Sequence, residues 1–116
     1  MNIYTKILAF LLLFTGELLG VYAIMIAARS ASVNDAFIVL IKSFLLAMVG
    51  GVILVGGYYL GYKAFQNIWI VMVISITSIL ILEPALAYIL FHELPTRGAA
   101  VGLILGALGL IATVTL

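Results

Sequence analysis

The chain has 116 residues, 67% of them hydrophobic and 8% charged, with a mean hydropathy of +1.44. A soluble domain has about 45–50% apolar and about 25% charged residues, and so short a chain cannot hide this much apolar surface from water, so lipid has to be the solvent. A net charge of +1, no cysteine and a single histidine, His92, exclude a basic nucleic-acid footprint, disulfides and thiolate metal sites, and a multi-histidine metal site within one chain.

Four segments reach the roughly 20 apolar residues that cross a bilayer. The first runs from about Ile3 to Ala28. It is too long for the apolar stretch of a signal peptide, and it holds a glutamate, so it is expected to remain as a membrane helix. A polar turn, Arg29 to Asp35, follows. The second helix is expected over Ala36–Gly61, with Tyr62 to Asn67 as its exit. The third covers Ile68–Phe91, and the turn from His92 to Arg97 is the densest polar cluster. The fourth covers Gly98–Leu116. Short connections make successive helices antiparallel neighbours. The expected fold is therefore all-α: one four-helix transmembrane domain over residues 1–116.

Let face A be the side of the N-terminus and face B the side of the first and third turns. Lys6 and Lys63 fall on face A; Arg29 and Arg97 fall on face B, with Lys42 one to two turns inside the second helix. Lysine and arginine set orientation by their imbalance, and here the imbalance is slight. Insertion in both orientations, and so an antiparallel homodimer, is the expectation. The alternative is that the small bias fixes one orientation.

Ionisable groups at membrane depth are costly and mark function. Counted along the helix at 1.5 Å per residue, Glu17 is about 18 Å from face B, Glu83 about 14 Å and Lys42 about 10 Å. Glu17 is the deepest, and no basic residue is near it in sequence. Lys42 either snorkels to face B or reaches inward to pair with Glu83 or with Glu17. Pro84 follows Glu83 and leaves the Leu80 carbonyl without its helical donor, as in the bent helices that line transporter cavities. Ser75 and Ser78 either line the same path, bond back to their own helix or join it to a neighbouring helix. Gly20 lies one turn beyond Glu17. Gly57 and Gly61 form a GxxxG pair, and Gly102, Gly106 and Gly109 share one side of the last helix. Such faces let helix backbones approach closely, and the last set is the expected dimer seam. Trp69, Tyr58, Tyr59 and Tyr62 fit an aromatic belt at face A.

The run Ile81-Leu82-Glu83-Pro84-Ala85-Leu86-Ala87-Tyr88-Ile89-Leu90-Phe91-His92-Glu93-Leu94 resembles the drug/metabolite transporter superfamily, in particular its EamA-type members. Chain size, four-helix layout, the Gly16-Glu17-Leu18-Leu19-Gly20 segment and the seven-residue spacing of Gly102 and Gly109 resemble the small multidrug resistance family. The chain departs from that family in three ways. Ser75 or a neighbour stands where the family has a mid-helix tryptophan, the run from Ala23 to Ala28 replaces a lysine, and Lys42 and Glu83 are additional charges. The His92-Glu93 turn resembles the four-helix subunits that flip aminoarabinose-carrying undecaprenyl lipid.

The resemblance implies a small secondary transporter in the cell membrane, of prokaryotic inner-membrane type. It would work as a homodimer, or as a heterodimer with a paralogue. Proton and a small cationic or amphipathic substrate would compete at Glu17, with Glu83 and Lys42 as further candidate binding residues. Gly20, Ser75, Ser78 and Pro84 are the candidate cavity or gate residues. The alternatives are a flippase subunit for a lipid-linked sugar, with Lys42 on the phosphate, and an accessory membrane protein without transport. No nucleophile–base set is visible, so no enzyme is expected; nor is a cofactor or a nucleic-acid partner. Membrane lipid is the expected surrounding.

Overall fold

The computed structural model describes residues 3–32 and 36–116. Among them are four helices: α1 (Ile3–Arg29), α2 (Ala36–Phe65), α3 (Ile68–Phe91) and α4 (Arg97–Thr115). A short 3-10 turn, Ser30–Ser32, continues from α1. The rest of the expected first turn, Val33 to Asp35, lies outside the described residues. At 1.5 Å per residue the helices are about 41, 45, 36 and 29 Å long, against a hydrocarbon core of about 30 Å. All four are long and apolar enough to cross a membrane, and the protein is a multi-pass membrane protein.

The exit of α2 is shorter than its hydropathy predicts. The expected loop from Tyr62 to Asn67 is a connection of two residues, because α2 stays helical through Phe65. Apolarity fades at the membrane interface, but the backbone ladder does not, and Lys63 in the last turn complements the helix dipole. The reversal is made by Gln66 and Asn67. Gln66 adopts a left-handed conformation (φ 54°) and donates its N–H to the Tyr62 carbonyl at 2.7 Å. The Asn67 side chain then caps α3 by accepting from the Trp69 N–H at 3.0 Å. At the other end of α3, His92 (φ 56°) turns left-handed and donates to the Tyr88 carbonyl. Thr96 caps α4 by accepting from the Ala99 N–H at 3.1 Å.

Small residues every seven positions join α1 to α2. On α2 the buried residues Ser43, Gly50, Gly57 and Ala64 form such a series, and Ala9, Gly16 and Ala23 form one on α1. A seven-residue repeat keeps one stripe facing the partner at a shallow left-handed crossing. With no side chain at the seam, backbones come close. A methyl added at Gly50 would lie 3.0 Å from the Gly16 carbonyl oxygen, and one at Gly57 would lie 3.0 Å from the Leu13 nitrogen. Gly61, one turn further, receives Val71 of α3 instead. The GxxxG pair is thus spent inside the chain, on two different helices. α3 presents Val71, Ser75, Ser78 and Leu82, spaced four, three and four apart, as its buried stripe.

α1 is therefore the hub, packed most extensively on α2 and then on α3. α4 buries no residue and packs on α3 alone among the described elements. The backbone forms a slab of 50 × 33 × 17 Å. Leu13 and Val71 are the largest side chains wholly out of contact with the surroundings, and most isoleucine side chains are exposed. An apolar exterior around a core made largely of alanine, glycine and serine, with Leu13, Val21, Val71 and Leu82, is the inverse of a soluble bundle.

Candidate functional site

The polar centre of the slab is a hydrogen bond between α1 and α3. Ser75 Oγ donates to Glu17 Oε1 at 2.5 Å. Both residues are buried, Glu17 at 9% exposure and Ser75 at 3%. The α1 stripe of small residues turns toward α2, which leaves the adjacent side of α1, with Glu17, to face α3. Each neighbour of Glu17 has a distinct surrounding. Leu13, one turn before, is fully buried, and so is most of Val21, one turn after. Gly20 stands in open space, where an added methyl would meet nothing within 4 Å. Ile24 points outward. Ser78 is buried but bonds back to the Ile74 carbonyl at 2.8 Å. It therefore closes its own helix, and only Ser75 of the two serines reaches the carboxylate.

No basic side chain of the described residues accompanies Glu17. Lys42 is exposed on α2 and Glu83 is exposed on α3, and among the described residues no ion pair joins Lys42 to either glutamate. The lysines of face A are engaged with aromatic rings: Lys6 Nζ lies 5.5 Å from the centre of Phe65, and Lys63 Nζ lies 5.9 Å from the centre of Tyr59. Such contacts hold a cation at the interface by the ring's negative face.

Glu83 and Pro84 belong to a second place. They line a cleft of about 550 Å³ between α3 and α4, near face B, together with Ala87, Tyr88, Glu93, Ala99 and Gly102. Helix α3 passes through Pro84 without a break. Of the glycines expected at a dimer seam, Gly106 meets Leu80 of α3 in the same chain, while Gly102 and Gly109 face open space. Sequence reasoning does not single out Glu93 and Tyr88 as site residues; the ten-residue step from Glu83 to Glu93 is the signal it could have used.

Comparison with family models, with curated proteins and with solved structures finds no match to this chain.

Proposed function

We propose that the chain is one protomer of a small secondary transporter, similar to the small multidrug resistance branch of the drug/metabolite transporters. It exchanges protons for a cationic or amphipathic compound. The observation that carries this reading is Glu17: a carboxylate buried between two membrane helices, hydrogen-bonded to one hydroxyl and paired with no cation among the described residues. Ionised in low dielectric it needs a counter-charge, and its surroundings supply none. A proton or a bound cation are the two ways to meet that need, and a site that takes one or the other in turn is an exchanger.

The shape supports a dimer. A slab 17 Å thick has no enclosed path, and α4, with nothing buried, leaves Ile104, Leu105 and Leu108 exposed for a second copy to cover. Two copies inserted in opposite senses would give equivalent inward and outward states. A second reading, a flippase subunit for a lipid-linked sugar, is favoured by one observation: Lys42 is exposed on α2 at a depth from which it reaches a lipid phosphate.

Proton flux in proteoliposomes, challenged with a panel of organic cations and lipid-linked sugars, tests both. Cation-driven proton release that Glu17→Gln abolishes in a folded, dimeric protein supports the exchanger. Full transport by Glu17→Gln overturns it.

A further inference from the structure

The cleft between α3 and α4 is not absorbed by the Glu17 chemistry, and its lining has an ordered pattern. Glu83 lies about nine residues, or about 14 Å of helix, inside face B. Glu93 lies just past the end of α3, at the face itself. Between them the wall is apolar: Ala87 on α3, Leu103 on α4 and Met25 from α1. Tyr88 adds an aromatic ring, and no basic side chain of the described residues lines the cleft. Neither carboxylate has a hydrogen bond or ion pair among the described residues. Lipid solvates a carboxylate poorly at the depth of Glu83, so the cleft offers a cation one acceptor at its inner end and another at its mouth, both exposed to it. Its volume falls in the range of small-molecule sites.

We propose that this cleft binds a linear aliphatic dication, an α,ω-diamine or polyamine. One ammonium lies at Glu83, the other at Glu93, and the methylene chain runs along Ala87 and Leu103. Charge complementarity requires cationic ends, the separation of the carboxylates requires two of them, and the apolar wall requires a hydrocarbon spacer. Tyr88 is placed to face an ammonium with its ring. This deepens the transporter reading by naming a substrate class, and rests on that reading only for the steps after binding.

Calorimetric titration of the full chain in zwitterionic nanodiscs tests it, with diaminooctane, diaminododecane and octylamine as probes. The expected result is at least tenfold tighter binding of a diamine than of octylamine, with an optimum in chain length. Glu83→Gln and Glu93→Gln should each bring the diamine down to the level of the monoamine. Ala99→Leu narrows the cleft while keeping both carboxylates, and should weaken both amines. The titration repeated on Glu17→Gln separates this site from the central one: selective diamine binding persists if the cleft is the site, even where proton exchange is lost. Equal affinity for diamine and monoamine overturns the proposal. So does diamine binding that is lost in Glu17→Gln but kept in Glu93→Gln, which puts the cation at the central carboxylate and leaves the exchanger standing. No saturable binding of any amine also overturns it, and leaves the cleft to lipid or to a second copy.

Discussion

Three of the four buried serines among the described residues stand in three situations, and the same substitution should act differently on each. Ser75 Oγ donates to a buried carboxylate; a hydrogen bond to a charged group contributes about 1.5–3 kcal/mol, and truncating the donor also strands the acceptor. Ser75→Ala should therefore lower stability by about that amount and, if the chain is the proposed exchanger, alter proton exchange at the same time. Ser43 Oγ is buried against α1 with no partner, so Ser43→Ala removes an unmet hydroxyl and continues the small-residue stripe. It should be neutral or stabilising by up to about 1 kcal/mol. Ser78 bonds its own helix, and Ser78→Ala should change little. Unfolding in mixed micelles ranks the three. A loss at Ser43 larger than at Ser75 would mean that the α1–α3 hydrogen bond does not hold the site together.

At the scale of the helix, the packing of α2 on α1 and on α3 depends on glycines whose neighbours differ in how far they can yield. A methyl at Gly57 would press on the Leu13 backbone, whereas one at Gly61 would press on the Val71 side chain at 3.1 Å. Overpacking costs about 1–3 kcal/mol where nothing moves. Gly61→Ala should be largely rescued by Val71→Ala, while Gly57→Ala should not be rescued by Leu13→Ala, since the nitrogen remains. Thermal stability of the two double variants checks this; equal rescue would mean the α1–α2 backbones are further apart than 3.0 Å contacts imply.

The same helices show what the sequence discloses and what it withholds. Long apolar runs fix the number of spans, and the bounds of α3 agree at both ends, because Asn67 and His92 are local stops. The end of α2 is missed by four residues, since hydropathy reports solvent and not hydrogen bonding. The depth of Glu17 follows from counting, but its Ser75 partner does not. Which side of α1 meets α3 depends on the α2 seam, and the period-seven stripe stands out as one series only once the two helices are seen packed. The α3–α4 cleft is invisible to any local pattern, because it exists only where α4 stands off from α3.

For the whole molecule, the decisive quantity is orientation. Four spans place both ends on one face, and the charges on the two faces nearly balance: Lys6 and Lys63 on one, Arg29 and Arg97 on the other. Lys6 and Lys63 stack on rings of the chain itself, yet both lie at the face A ends of their helices, so each still counts in the balance. The expected population in the membrane is mixed. Since there is no native cysteine, single probes at Asn67→Cys, Leu94→Cys and Leu116→Cys report cleanly. Asn67 and Leu116 should agree with each other and oppose Leu94, and an impermeant thiol reagent should label about half of each. Two lysines appended beyond Leu116 add to face A and should drive most molecules to place that face in the cytoplasm. If two opposed copies make the exchanger, this one-sided population should lose dimers and proton exchange together. An equal mixture with a variant biased by two arginines at Leu94 and Thr96 should restore both. A single orientation in the unmodified protein, or full activity from the one-sided variant, would remove the opposed-copy arrangement, and an exchanger would then have to draw the equivalence of its inward and outward states from within each chain.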